Sequence, residues 1–325
     1  MHTKNPKIPQ SPLNKNALSP KLLSLMQIHS WKFSMNLLKV SLIQMQTTPK
    51  DLEGNLALAL KMAKKSVKKG AKLIVLSELF DSGYCVELED EKYASDFANP
   101  STSKTLQTLL SFCQQHKVYV VGCSIEKDST NNTFYDTAFI MGENGLIGKY
   151  RKIYLWGEEP KRFGRGSEYP IFTLDFKDFQ AKVGLQICYE IGFGEGARIL
   201  SLKGAEILIY PAAFGRARLY AWNLASRARA LENGAFVLAV NQSKSQKSQW
   251  NGQKIKFAAN SQIINPKGKV LARAQKSNEA LIYTINLQEC KEQRAALPYL
   301  KDLNLSLQTQ QIQALQSLEQ GALNP

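Results

Sequence analysis

The run NLALALKMAKKSVKKGAKLIVLSE, Asn55 to Glu78, decides the fold. Its first half is an amphipathic helix with lysines on the polar side. Gly70 follows the last helical turn, where a left-handed residue is wanted. The apolar run after it is too short for another helix and reads as a buried strand. GARILSLKGAEILIYPAAF (Gly196–Phe214) repeats the plan around Gly204, and NLASRARALENGAFVLAVNQ (Asn223–Gln242) repeats it around Gly234. TLQTLLSFCQQHKVYVVGCSI (Thr105–Ile125) is a fourth helix–strand pair, without the glycine. Such alternation predicts an α/β fold with covered sheets. Two hairpins lie between these units, one turning across Gly142-Glu143-Asn144-Gly145 and one across Asn265-Pro266-Lys267-Gly268.

Composition bounds the rest. A chain of 325 residues that is 44% hydrophobic is long enough for a substantial core. No apolar run approaches the ~18 residues of a membrane span. Residues 1–34 carry five lysines, four prolines and no acid, and they show no signal-peptide pattern. They read as a disordered basic extension, with Met35 an alternative start. A single domain over 35–290 and a C-terminal arm or helix over 291–325 complete the expected organisation. The net charge is +15, of which the extension supplies +5. The remainder reads as solvated lysine-rich helix faces, and no nucleic-acid module is visible. Five cysteines, an odd number with no CxxC pair and no secretory signal, read as reduced thiols in a cytoplasmic protein. Cys85, Cys113 and Cys123 read as core thiols.

VGLQICYEIGFGEG, Val183 to Gly196, is the stretch with chemistry in it. A strand-like run ends on Cys188, and Gly192, Gly194 and Gly196 permit a tight turn after it. Cys188 is either a small core residue or a thiol presented at a sheet edge. As a nucleophile it needs a base. His116, at the end of a predicted helix, is the one histidine outside the extension, so a carboxylate must serve. A transition-metal site has neither a histidine pair nor a cysteine cluster. Glu78 stops the first apolar run, and Lys152 follows the second hairpin strand, with Glu158 and Glu159 soon after. In an α/β fold such strand ends converge on one edge. Glu78 would take the thiol proton, and Lys152 would provide fixed positive charge for an oxyanion, with a thiolate favoured beside the lysine. Arg198 would meet Glu190 or Glu195.

LSELFDSGY, YRKIYLW, LQICYEIGFGEGAR, GAEILIYPAAF and RALENGAFVLAVNQ, in that order, resemble the motifs of the nitrilase superfamily of carbon–nitrogen hydrolases. The resemblance covers about residues 38–286. It implies a four-layer α-β-β-α sandwich and a Glu78-Lys152-Cys188 triad, with Glu159 as an additional active-site glutamate and Glu158 the alternative. It also implies that the Tyr189 peptide N–H joins Lys152 at the oxyanion. Gly194 stands where many members have proline. The implied activity is cysteine-thioester hydrolysis of a small linear amide or N-carbamoyl amide, without a cofactor. A nitrile substrate, or a non-catalytic protein that keeps the fold, are the alternatives. Tyr84, Trp156, Phe193 and Phe214 are expected to wall the pocket. Subunits are expected to pair through the helices that carry Ala197, Leu200 and Ser201 and the segment LASRARALENG, with the ALPYLKDL arm crossing to the partner.

Overall fold

The computed structural model describes residues 36–322. The expected extension over residues 1–34 lies outside them. In chain order the strands are β1 (Leu37–Gln44), β2 (Leu73–Leu76), β3 (Tyr119–Asp128), β4 (Thr133–Gly142), β5 (Gly145–Arg151), β6 (Ile171–Asp175), β7 (Gln180–Leu185), β8 (Ile207–Ala212), β9 (Phe236–Asn241), β10 (Ser245–Lys247), β11 (Lys254–Lys256), β12 (Gln262–Ile264), β13 (Val270–Arg273) and β14 (Glu279–Asn286). One six-stranded sheet runs β14-β1-β2-β3-β4-β5 and a second runs β13-β12-β9-β8-β7-β6. β10 and β11 form a separate hairpin. Strands β1–β3 are mutually parallel, as are β7–β9, and antiparallel strands flank each set.

Helices cross over between the parallel strands, as that connection requires. They are α1 (Leu52–Lys68), α2 (Lys104–His116), α3 (Gly194–Leu202) and α4 (Leu219–Asn233). α1 and α2 cover the outside of the first sheet, and α3 and α4 cover the second. β1 and β2 pack on β8 and β9. The result is the four-layer α-β-β-α sandwich. Alternation in β1 shows why both faces are covered. Val40 and Leu42 belong to the cluster shared by the two sheets, whereas Ile43 joins the cluster under α1 and α2. Ser41 shares a 2.8 Å hydrogen bond with Ser66 of α1.

The predicted punctuation is where it was expected. Gly70, Gly204 and Gly234 all have positive φ directly after their helices. In the fourth pair Lys117 takes the left-handed position after α2, at φ 52°. Both hairpins form at the predicted turns.

Helix α5 (Gln288–Ala296) runs through residue 290, with Cys290 and Gln293 buried. Arg294 of α5 donates to the Asn233 carbonyl at 3.1 Å and also binds the Ala205 carbonyl. These bonds fasten α5 to the domain. The turn Tyr299–Asp302 packs on α3 and α4 of its own chain. The expected short terminal helix is an 18-residue helix, Leu305–Ala322. Ala197, Leu200 and Ser201 face inward and are buried, because Leu200 packs over Gly184 of β7. The exposed large hydrophobic residues of α3 and α4 are Ile199, Leu202, Tyr220, Leu224 and Leu231. No helix among the described residues is long and apolar enough to cross a membrane.

Candidate active site

Three chain segments that leave the same edge of the sandwich bring the candidate residues together. Glu78 lies two residues beyond β2, Lys152 directly follows β5, and Cys188 lies three residues beyond β7. Glu78 and Lys152 are fully buried, and Cys188 is 6% exposed. The Lys152 ammonium donates to Glu78 Oε1 at 2.6 Å, to Glu159 at 2.9 Å and to Asp136 Oδ2 at 3.2 Å. A buried ammonium stripped of water needs such acceptors. The oxygens of Glu78, Asp136 and Glu159 gather within 4.8 Å of one another, and Lys152 is the cation they share.

Each carboxylate has further anchors. Glu78 Oε2 accepts the Ala213 N–H at 2.6 Å, and the Gln242 side chain donates to the Glu78 carbonyl at 2.6 Å. Glu159 accepts the Tyr84 hydroxyl at 2.7 Å and the Trp156 N–H at 2.8 Å. Glu158 is the exposed neighbour, paired with Lys161, and stands outside the cluster. Asp136, on β4, is the member that the sequence reading missed.

The protonation pattern follows from the charge count. Burial raises the Glu78 carboxyl well above its ordinary value; Lys152 opposes this, while Asp136 and Glu159 add to it. Burial and then Glu78 push the Cys188 thiol up, against the pull of Lys152. The expected thiolate is therefore not the resting form. Three carboxyls already claim the single ammonium, leaving no positive charge in surplus. Glu78 is the carboxyl that acts most strongly on the thiol and can accept its proton.

The turn at the nucleophile also departs from expectation. Gly192, Gly194 and Gly196 do not have left-handed backbones; Cys188 itself does, at φ 50°. Gly196 instead makes room, since a Cβ there would stand 2.3 Å from Gln186 Nε2. Leu79, after Glu78, is likewise left-handed at φ 45°. Glu190 holds the Cys188 turn. It accepts the Tyr150 hydroxyl at 2.6 Å and the N–H groups of Ile187, Ile153 and Tyr154 at 2.7, 2.8 and 3.1 Å. Burial pushes this carboxyl up to about 7, while the four donors favour its charged form. Arg198 meets neither Glu190 nor Glu195 as expected; it donates to the Glu232 carbonyl at 2.6 Å. Glu190 has its own donors and leaves it none.

Cys188 opens on a cavity of about 330 Å³. Tyr84, Trp156 and Phe214 line it, together with Tyr189, but Phe193 does not. Phe193 is stacked on Tyr154 at 3.9 Å and sits edge-on to Tyr189. Ile191, Ala221, Trp250 and Ile255 complete much of the apolar wall. The sequence carried no signal for Trp250 and Ile255, which come from the β10–β11 region. His116 packs on Phe112 in α2, outside the cavity.

The chain as a whole is similar to proteins of known family. The carbon-nitrogen hydrolase family profile matches residues 39–295. A nitrilase of Pyrococcus abyssi is 33% identical over 270 residues, covering 82% of this chain and 95% of that protein. An omega-amidase of Xenopus tropicalis is 30% identical over 271 residues, covering 80% and 92%. The solved structure of Saccharomyces cerevisiae Nit3, a member of branch 10 of the nitrilase superfamily, aligns with a TM-score of 0.71 at 29% identity, covering 81% and 94%. The chain belongs to the carbon–nitrogen hydrolase family, within the nitrilase superfamily.

The Glu190 clamp is testable without a substrate. In Glu190→Gln the amide NH2 would face at least one of the four donors, leaving a buried group unsatisfied. A loss of roughly 1–3 kcal/mol in unfolding free energy is expected, measured by urea denaturation. Unchanged stability would show that the clamp is not an energetic feature of the turn.

Proposed function

We propose that the chain hydrolyses the C–N bond of a small linear amide or N-carbamoyl amide through a thioester on Cys188. Glu78 takes the thiol proton as sulfur attacks the carbonyl carbon. The Lys152 ammonium and the Tyr189 peptide N–H hold the resulting oxyanion. Glu78 then passes its proton to the leaving nitrogen, the C–N bond breaks, and ammonia or an amine departs. Water, deprotonated by Glu78, attacks the thioester; the C–S bond breaks, and the thiol recovers its proton. Glu159 fixes Lys152 and the Tyr84 hydroxyl on the substrate side. The observation that carries this reading is the triple hydrogen bonding of a fully buried lysine beside a thiol that opens on a cavity. The three residues serve a nitrile equally well, so the distinction rests on the screen below.

Ammonia release from a panel of amides, N-carbamoyl amino acids and nitriles tests the assignment. Cys188→Ala is expected to lower turnover of any accepted substrate by at least a thousandfold with an unchanged circular dichroism spectrum. Residual activity within tenfold of wild type would remove the covalent route, and turnover of nitriles alone would replace the amide assignment.

A pH profile tests the base. A carboxyl with a raised pKa keeps its proton to higher pH, so kcat/KM falls as pH drops through that value. The acid limb is expected above the ordinary carboxylate value of 4.5. Asp136→Asn removes a neighbouring negative charge, which must lower the Glu78 pKa. The acid limb should move to lower pH; a move to higher pH would refute Glu78 as the titrating base.

The same reading includes a homodimer. Ile199 and Leu202 of α3 and Tyr220 and Leu224 of α4 stand outward on helices that flank the Cys188 turn. Twofold pairing would bury them. Light scattering at micromolar concentration should give twice the chain mass or a multiple of it. A fully active monomer would exclude a role for pairing in the site.

A further inference from the structure

We propose that a second, basic cavity, walled by the β10–β11 hairpin, binds a chain of phosphate groups. The inference stands apart from the hydrolase reading and makes no use of Cys188. The cavity is open, with a volume of about 600 Å³, and shares no lining residue with the Cys188 cavity. Small-molecule sites commonly span about 300–1,000 Å³. Arg216, Lys244, Lys254, Lys256 and Lys276 line it, and no acidic residue does. These cations come from four segments: the turn before α4, the link from β9 to β10, β11, and the turn between β13 and β14. All five are exposed, and none of their side chains has an ion pair or hydrogen bond among the described residues. Glu279 accepts the N–H groups of Gln275 and Lys276, both at 2.7 Å, but does not line the cavity.

The hairpin carries the argument from charge to ligand. Its register sets Lys247 directly opposite Lys254 and Ser245 opposite Lys256. Opposed residues of an antiparallel pair share a face, so Lys247, Lys254 and Lys256 stand on one side of the ribbon. Like charges directly opposite destabilise a strand pair, and this pair has only three residues a side. An anion among the lysines turns that repulsion into attraction. On the other face Ile255 enters the Cys188 cavity, and Gln246 accepts the Tyr84 and Cys85 N–H groups, both at 2.9 Å. The backbone beneath the cations is held. The Lys244 carbonyl accepts the Phe257 N–H at 2.9 Å, and the Lys276 carbonyl accepts the Gln44 amide at 2.6 Å.

A ligand that reaches cations on four segments must carry negative charge along its length. A phosphate chain does so, and its oxygens accept charge-assisted bonds from lysine and arginine. The Ser245 and Ser277 hydroxyls line the same cavity. Phe257, the one aromatic residue of the wall, is 2% exposed, so no ring is free to stack a base. This favours a phosphate chain over single-stranded nucleic acid.

Calorimetry on the full chain with tripolyphosphate tests the proposal. Tripolyphosphate should bind about tenfold or more tighter than orthophosphate. The triple variant Lys254→Gln, Lys256→Gln, Lys276→Gln should weaken it about thirtyfold. Lys61→Gln, Lys64→Gln, Lys65→Gln on α1 removes the same charge elsewhere and should change the affinity by less than about threefold. Equal weakening by the two triples would reduce the cavity to general positive charge and overturn the proposal, as would absence of binding. Amide hydrogen exchange on wild type reads the position. Bound tripolyphosphate should slow exchange in β10 and β11; slowing confined to other segments would overturn the assignment. Adenosine triphosphate distinguishes the source of the phosphates. Tighter binding than tripolyphosphate assigns the site to a nucleotide, equal or weaker binding assigns it to the chain alone, and both uphold it. A single-stranded oligonucleotide that binds more tightly than either would replace the proposal with a nucleic-acid surface. Turnover is read in none of these measurements, so failure of the hydrolase reading leaves the test intact.

Discussion

The Lys152 ammonium is the interaction on which the site depends. A lysine with no exposed surface keeps its charge only if other groups replace water, and three carboxyls do so. The dependence runs both ways, because Glu78, Asp136 and Glu159 cannot stay buried together without the cation. One ionic cluster therefore ties the end of β2, the middle of β4, the end of β5 and the turn at Glu159 to a single geometry. With every carboxyl ionised the cluster would carry a net charge of minus two in an apolar surround. The oxygens of Glu78, Asp136 and Glu159 gather within 4.8 Å of one another, and the charges of the other two add to the effect of burial in raising the Glu78 carboxyl. Burial first, and the neighbouring carboxyls after it, raise both the Glu78 carboxyl and the Cys188 thiol.

A second constraint sets where the sulfur sits. Cys188 occupies a left-handed conformation that costs a non-glycine residue about 1–3 kcal/mol. Glu190 offsets that strain by gathering four donors: one from the chain before Cys188, two from the peptides after Lys152, and the Tyr150 hydroxyl. The same carboxylate thus fixes the lysine's strand end and the cysteine's turn. Their relative position is set by backbone N–H groups that share one buried carboxylate, which suits a site that must hold reacting atoms closely.

What could be read from the sequence was what short-range chemistry dictates. Gly70, Gly204 and Gly234 mark left-handed helix ends, and these local requirements gave the helix–strand alternation; the order of the four layers came from the family resemblance. Glu78, Lys152 and Cys188 were legible because a charged or reactive residue where a buried strand stops is conspicuous. Asp136 was not, because it sits mid-strand in TFYDTAF, where alternation makes an acid look solvent-facing. The direction of Phe193 depends on a turn whose strain lies at Cys188 rather than at the glycines. Ala197, Leu200 and Ser201 look equally fit for an interface or a core; only the packing of Leu200 over Gly184 decides for the core.

The imbalance that keeps the thiol protonated also makes its reactivity conditional. Nucleophilicity and oxidation both follow thiolate character, so a resting thiol in this cluster is sheltered from adventitious electrophiles. In the proposed mechanism sulfur gains charge only as Glu78 accepts the proton, and that charge must pass at once onto the substrate's carbonyl oxygen, or a nitrile's nitrogen, facing Lys152. A molecule in the cavity without an electrophilic carbonyl or nitrile at that point leaves the new negative charge beside three carboxyls, with nowhere to go. Deprotonation and attack are therefore coupled by electrostatics, and chemical selectivity begins with the charge count of the cluster before the walls of the cavity contribute.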